Sequence, residues 1–469
     1  MENFTALLRN DDTICAVATP PGSGAIAVIR MSGKESLPVL FKLFRPLKKN
    51  LTQENIESHH QYFGKLYEGD NEIDEVLISF FKGPHSYTGE DSVEIYCHGS
   101  VYIQQKIIEV LINNGVRLAA AGDFTKRAFL NGKMDLSQAE AVADLIASQS
   151  KMAHKVALNQ MKGIFSHKIA ELREKLLKFA SLIELELDFS EEDVEFADRQ
   201  ELFILINELK NEISTLLNSF KYGNVIKHGI PVAIIGKPNT GKSTLLNTLL
   251  NEERAIVSDI PGTTRDSIED TIIIEGYTFR FIDTAGLRDS EDTIENIGIE
   301  RTYEKIRQAD IILYVCDISK INKSTVDEVI REFKTYIEDE DKTFIMVANK
   351  IDKLERIPPR LKEILELDTV FVSAKRKENI HYLAETLVEK VKEKHISNDI
   401  IVTNSRHYES LKAALDSIIQ VERGLQESIP TDLVAIDLRQ ALHHLGSVTG
   451  EITTNDILGS IFEKFCIGK

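Results

Sequence analysis

Gly236-Lys237-Pro238-Asn239-Thr240-Gly241-Lys242-Ser243 follows the apolar run Pro231-Val232-Ala233-Ile234-Ile235 and precedes Thr244-Leu245-Leu246-Asn247. The order predicts a strand, a phosphate loop and a helix. Glycines let backbone N–H groups close around phosphate oxygens, Lys242 reaches the β- and γ-phosphates, and the Ser243 hydroxyl can ligate Mg²⁺. A Gly-rich turn that merely matches the pattern is the plainer alternative, and the downstream motifs weigh against it.

Asp283-Thr284-Ala285-Gly286 ends a second apolar segment, Phe279 to Ile282, as expected of an Asp held at a strand end to reach the Mg²⁺ shell. A third apolar run, Phe344 to Ala348, leads into Asn349-Lys350-Ile351-Asp352. The Asp352 carboxylate can accept both N–H donors of a guanine edge, a pair that adenine lacks. Ser373-Ala374-Lys375, after Thr369 to Val372, completes a base pocket, and Thr263-Thr264 falls where a switch threonine belongs. The ordered set resembles that of a GTPase domain. Its expected nucleotide contacts are Asn239, Thr240, Gly241, Lys242, Ser243 and Thr244; Ser258, Asp259, Ile260, Pro261, Gly262, Thr263 and Thr264; Asp283 through Gly286; Asn349, Lys350 and Asp352; and Ser373 through Lys375. Ser243 and Thr264 are the expected Mg²⁺ ligands. Leu287 stands where Ras-like enzymes carry a water-orienting Gln, and an apolar side chain cannot do that work. Arg265 and Arg288 are equally readable as surface or as catalytic arginines.

At 469 residues the chain exceeds one core and predicts about three domains. With 42% hydrophobic and 28% charged residues it reads as an ordinary soluble protein, expected in the cytoplasm: no basic, then apolar, leader and no membrane-length apolar run occurs. Four scattered cysteines, with no CxxC, signal neither a disulfide framework nor a zinc site. A net charge of −18 argues against unaided coating of nucleic acid. A local patch such as Lys126-Arg127 with Lys133 could still meet RNA. The acidic stretch from Glu184 to Asp193 reads as a solvated face, and His98 as structural.

Short β-type runs dominate the first 120 residues: Ile14 to Ala18, Ala25 to Ile29, Val76 to Phe80 and Val93 to Tyr96, with a helix-like stretch from Tyr102 to Asn113. A helix cap at Asp135-Leu136-Ser137 follows. Met161, Phe165, Ile169, Leu172, Leu176, Phe179 and Ile183 then recur at helical spacing and predict one long helix. Helical character returns after residue 400: Tyr408, Leu411, Leu415 and Ile418 share a face, Pro430-Thr431 opens a helix, and Gly446 and Gly450 punctuate the chain. The expected fold class is multidomain α/β, in which an N-terminal α+β domain precedes a helical domain interrupted by a Ras-like P-loop α/β domain. The boundaries are placed at 1–132, 133–228, 229–391 and 392–469.

The P-loop with Asn239, the segment Ala255 to Asp266, Asp283-Thr284-Ala285-Gly286-Leu287-Arg288, Ala18-Thr19-Pro20-Pro21-Gly22 with Arg30, and the terminus Phe465-Cys466-Ile467-Gly468-Lys469 together make the whole chain resemble the MnmE (TrmE) family of tRNA uridine-modification GTPases. The resemblance implies a homodimer. It implies K⁺ held by Asn239, Ser258, Ile260 and Thr263 in place of an arginine finger, with Ser258 standing where Thr is common, and a water positioned by Glu295. It further implies a tetrahydrofolate derivative, 5-formyl- or 5,10-methylene-, bound through Arg30, Glu94, Lys133 and Lys469, with Cys466 serving the modification chemistry. FAD would sit only on a MnmG-like partner in a heterotetramer that acts on the wobble uridine of certain tRNAs, with no membrane involved. The rival reading, a regulatory GTPase of ribosome assembly, wants a basic RNA-binding module such as a KH domain with a GxxG loop, and none is visible. For the tail, a prenylation box fits badly at Gly468 and Lys469. An inert end is the ordinary alternative, whereas an amphipathic helix from Asn455 to Phe465 would hold the last residues in place.

Overall fold

The computed structural model describes residues 12–48, 50–188, 199–252, 270–282, 303–321, 323–354, 368–394, 400–427, 429–452, 455–463, 465, 466 and 468. It divides into two compact units, one of Met1–Ala147, Ala157–Ile213 and Glu409–Lys469, the other of Ser148–Val156 and Ser214–Tyr408. Ser258 through Thr264, Asp283 through Gly286, Glu295 and Lys469, with Arg265, Leu287 and Arg288, lie outside the described residues.

The first unit is built on strands β1 (Ile14–Val17), β2 (Ile26–Ser32), β3 (Phe44–Pro46), β4 (Gln61–Glu68), β5 (Asn71–Phe81), β6 (Ser92–His98) and β7 (Arg117–Leu118), ordered β3-β4-β5-β6-β2-β1-β7. Pairing is antiparallel except between β1 and β7. Period-2 alternation divides the faces of β2 and β6. Ala27, Ile29 and Met31, with Val93 and Ile95, enter a core shared with helices α1 (Ser36–Leu43) and α2 (Val101–Asn113). Arg30 and Glu94, directly paired across the two strands, therefore stand on the opposite face.

Further on come helices α3 (Asp123–Leu130), α4 (Leu136–Ala147), α5 (Lys151–Met161), α6 (Ile164–Asp188) and α7 (Arg199–His228). The expected cap at Asp135 forms: its Oδ1 accepts from the Gln138 N–H at 2.9 Å and from the Ser137 hydroxyl at 2.9 Å. The single long helix expected from Met161 onward is broken. Gly163, at φ 81°, ends α5, so Met161 belongs to a different helix from the stripe Phe165, Ile169, Leu172, Leu176, Phe179 and Ile183, all of which are buried. That stripe lies against α13 (Thr431–Thr449), where Leu438, Ala441 and Leu445 are buried; α12 (Ser405–Gln426) and α14 (Asn455–Phe462) complete the C-terminal block. Truncating one such core leucine to Ala costs about 2–5 kcal/mol. Gly450 ends α13 at φ 82°, where a Cβ would meet Leu136 Cβ at 2.8 Å, while Gly446 sits within that helix rather than interrupting it.

In the second unit, strands β8 (Ile230–Ile235), β9 (Asp270–Ile274), β10 (Tyr277–Phe281), β11 (Ile311–Asp317), β12 (Thr343–Asn349) and β13 (Thr369–Val372) are ordered β13-β12-β11-β8-β10-β9, parallel except for the β9–β10 hairpin. Every residue of β11 and β12 is buried, as expected of strands covered on both faces. Val232, Ile234 and Leu313 face Leu245, Leu249 and Leu387 of α8 (Lys242–Glu252) and α11 (Ile380–Lys394). Ala233, Ile235 and Ile312 face Val326 and Phe333, on and just after α9 (Lys323–Glu332); the short α10 (Lys334–Ile337) follows. Chain order reverses at β8, so the carboxyl ends of β8, β11, β12 and β13 open into one crevice.

Candidate functional site: a guanine-nucleotide crevice and an Arg30–Glu94 pair

The loop after β8 depends on three residues at positive φ: Gly236 (142°), Asn239 (61°) and Gly241 (97°). A Cβ on Gly236 would lie 2.1 Å from the Val315 carbonyl of β11, and one on Gly241 would lie 2.4 Å from Asn349 Nδ2, so backbone and side chain close in where only glycine fits. The amino end of α8 then presents its first N–H groups toward the loop, an arrangement suited to anions. Lys242 Nζ donates to the Gly236 carbonyl at 2.9 Å and the Lys237 carbonyl at 3.1 Å, curling across the loop. Burial, with the nearby Lys305 ammonium, pushes the Lys242 pKa below its usual value. An anion beside it relieves that penalty. Ser243 is half-buried at the second helical position, and Thr244 is exposed.

Asn349 is the hub of the crevice. Its Nδ2 donates to the Thr240 carbonyl at 2.9 Å, while its Oδ1 accepts from the Lys350 N–H at 2.8 Å and the Ala374 N–H at 3.0 Å. One buried amide thus fastens the phosphate loop, the end of β12 and the Ser373-Ala374-Lys375 turn. Thr248 of α8 adds a hydroxyl bond to the Ala374 carbonyl at 3.0 Å. Asp352 is oriented by the Ser373 hydroxyl, which donates to Oδ1 at 2.6 Å and thereby lowers the carboxyl pKa. It is a pre-set acceptor for a paired N–H edge. Sequence reasoning passed over Asp317, the last residue of β11, which grips the Lys350 ammonium at 2.8 Å. The signal was available, since an acid ending a buried parallel strand sits at the crevice mouth.

In the first unit Glu94 Oε1 accepts from Arg30 Nε at 2.9 Å and Nη2 at 2.8 Å, and Oε2 accepts from the Tyr96 hydroxyl at 2.7 Å. The two side chains are 17% and 16% exposed, open enough to be reached and shielded enough for charge to count. The Arg30 guanidinium also lies over the rings of Tyr87 (5.5 Å) and Phe124 (5.8 Å). Burial and the bond to Glu94 raise the Tyr96 pKa, keeping it a neutral donor. The chain's tail comes to the same place. Phe465 is buried against Phe462, and Gly468, also buried, packs so closely that a Cβ would lie 2.5 Å from the Val17 carbonyl. The Gly468 carbonyl stands 3.5 Å from Arg30 Nη1, and Cys466 is exposed beside it in sequence. Lys133, exposed, donates to the Pro84 carbonyl at 2.8 Å.

Of the local patch Lys126-Arg127 with Lys133, Arg127 is withdrawn from the surface while Lys133 stays exposed. Arg127 is buried and spent on two carboxylates, bonded to Asp12 Oδ1 at 2.6 Å and Glu90 Oε2 at 2.9 Å. His98 pairs with Asp74 at 2.7 Å, and no grouping of metal-binding side chains exists among the described residues. No helix among them is long and apolar enough to cross a membrane.

Comparison with known proteins gives the chain's family. The model for the GTP-binding protein TrmE N-terminus matches residues 13–133, and that for the MnmE helical domain matches 136–466. A tRNA modification GTPase MnmE of Flavobacterium psychrophilum is 52% identical over 465 residues, covering 98% of this chain and 99% of that protein. One from Bacteroides fragilis is 51% identical over 471 residues (98% and 100%), and one from Porphyromonas gingivalis is 48% identical over 469 (98% of each). A solved FeoB G-domain from Methanococcus jannaschii aligns to 35% of this chain and 98% of its own at 24% identity, with a TM-score of 0.25, too low to bear on the fold. With near-complete relatives at about half identity and a family model spanning most of its length, the chain belongs to the MnmE family of tRNA modification GTPases.

Proposed function

We propose that this chain is a K⁺- and Mg²⁺-dependent GTPase, homodimeric, which together with a FAD-dependent MnmG-like protein uses a tetrahydrofolate one-carbon unit to build an aminomethyl-type group on C5 of the wobble uridine (position 34) of certain tRNAs. The observation that carries the GTPase part is the Asn349 amide, which joins the phosphate loop, the base-reading Asp352 segment and the Ser373 turn into a single guanine-nucleotide site. Within it the α8 N–H groups and Lys242 bind the phosphates, Ser243 and Thr264 would hold Mg²⁺, and Asp352 selects guanine. The donor set suits a small monovalent cation at the loop apex, where the exposed Asn239 would hold it with Ser258, Ile260 and Thr263. Such a cation, once bound, neutralises charge developing at the β/γ bridge as a guanidinium finger would, an effect worth about 10³–10⁵ in rate. Glu295 orients the attacking water that Leu287 cannot.

The reading of 1–132 as the folate domain is supported by the Arg30–Glu94 pair with its Tyr96, Tyr87 and Gly468 surroundings. Glu94 keeps one acceptor position on Oε2 free for a pterin N–H group, while Arg30, Lys133 and Lys469 suit the carboxylates of folate. Tetrahydrofolate, when bound, supplies the carbon. Helical segments 133–228 and 392–469, carrying the Cys466 tail, flank a GTPase domain at 229–391, and the assembly works in the cytoplasm. GTP turnover in matched K⁺ and Na⁺ tests the cation reading. K⁺ should stimulate strongly and Asn239→Ala should abolish the difference, whereas equal rates in the two salts would overturn it.

A further inference from the structure

Asp317 ends β11 with a side chain only 6% exposed, and none of the nucleotide motifs includes it. Its Oδ1 accepts from the Ser319 N–H at 3.1 Å and the Ser319 hydroxyl at 2.6 Å, which fix the carboxylate and leave Oδ2 for Lys350 Nζ at 2.8 Å. The same ammonium donates to the main-chain carbonyl of Asn239. Both residues joined through it hold left-handed backbone, Asn239 at φ 61°, which an Asn tolerates well, and Lys350 at φ 71°, uncommon for a lysine. Burial works against the Asp317 charge, yet the bonds from Lys350 and Ser319 outweigh it and keep the carboxyl pKa below its usual value. The loop apex is therefore tied to the base-reading segment through one lysine, and that lysine is aimed by one acid.

We propose that Asp317 is a positioning residue of the nucleotide site, acting through Lys350 to hold the Asn239 apex of the phosphate loop in its left-handed conformation. The inference deepens the GTPase reading and rests on it for the identity of the nucleotide. Its physical content is coupling. Without the carboxylate, Lys350 has no anchor on the β11 side and the Asn239 carbonyl loses an oriented donor, so guanine affinity and apex geometry decline together.

A double-mutant cycle tests this, read as the dissociation constant of a fluorescent GDP analogue with the full-length protein, thermal unfolding confirming that each variant folds. Asp317→Asn should weaken GDP about 10-fold to 100-fold, the range for a charge-assisted bond to a shielded partner. It should raise KM for GTP in parallel while leaving kcat at saturating GTP and K⁺. The double variant with Lys350→Met should bind no more weakly than Lys350→Met alone, because the two residues act as one unit. Asp317→Glu, which restores the charge, should recover part of the loss and carries the cycle if Asp317→Asn does not fold. GDP affinity within twofold of the unaltered protein, or losses that multiply in the double variant, would overturn the proposal. A second readout separates the two ideas: Asp317→Asn should raise the K⁺ concentration for half-maximal hydrolysis. If the unaltered protein ignores K⁺, the cation reading fails while the GDP cycle still decides the role of Asp317.

Discussion

Replacing Gly241 with Ala probes the crevice at its tightest point. The residue sits at φ +97°, and an added Cβ would stand 2.4 Å from Asn349 Nδ2, roughly an ångström inside ordinary contact. Two costs combine. A non-glycine residue at such a φ carries about 1–3 kcal/mol of strain. Driving the Asn349 amide off the Thr240 carbonyl, a 2.9 Å buried bond, adds a desolvated acceptor worth about 1–3 kcal/mol. The loop can relieve part of this by abandoning its phosphate-binding shape, in which case GTP must restore that shape and the cost moves from stability into affinity. Loss of thermal stability and loss of nucleotide binding are therefore expected to trade against each other, with a total of about 2–6 kcal/mol. Because the loop is at the surface, most of it should emerge as weaker binding, about 30-fold or more for GDP. Titration calorimetry with GDP, paired with thermal denaturation of the full chain, measures both parts. If Gly241→Ala binds GDP within twofold and unfolds at the unaltered temperature, the close packing of Asn349 against the loop is not what builds the site.

Glu94→Gln should weaken 5-formyltetrahydrofolate binding about tenfold or more, since the charge-assisted acceptor becomes neutral; equal affinity by titration calorimetry would remove Glu94 from the proposed folate site. Asp12 has its pKa lowered from 3.8, burial opposing and bonds from Arg117 and Arg127 prevailing, so its contribution to stability is present above that pH and is lost as pH falls through the depressed folded value. Asp12→Asn should accordingly lower the melting temperature at pH 7 and narrow its gap from the unaltered protein in acid, and a constant gap from pH 7 to pH 3 would contradict this. Cys466→Ser should fold and hydrolyse GTP with K⁺ stimulation yet fail to restore tRNA modification in cells; restored modification makes the thiol dispensable, and joint loss of GTPase makes it structural.

Much of the second unit was legible because its logic is local. Strands buried on both faces read as unbroken apolar runs, and phosphate and base motifs sit at the carboxyl ends of Ile230–Ile235 and Thr343–Asn349, which therefore stand out; Ile311–Asp317 is equally apolar but ends in no such motif and was passed over. The Asn349 hub and the Asp317–Lys350 pair were not legible as partnerships, because sequence gives neither the distance between strand ends nor which donor an amide takes. In the first unit, Gln61–Glu68 lacks the apolar density of its neighbours; only Gly64 and Leu66 are buried, so its alternation is carried by few residues. Arg127 misled for a physical reason: among lysines it resembles a surface cation, whereas Asp12 and Glu90, far away in the chain, bury it. The break at Gly163 was hidden because Met161 continues the helical spacing across it.

Whether this chain, with the proposed partner, modifies the wobble uridine is decided by mass spectrometry of nucleosides from tRNA of a deletion strain, with and without the chain supplied in trans. The C5 aminomethyl-type modification at position 34 should disappear on deletion and return with the unaltered chain. Undiminished modification in the deletion strain would contradict the proposal and favour a switch GTPase of ribosome assembly.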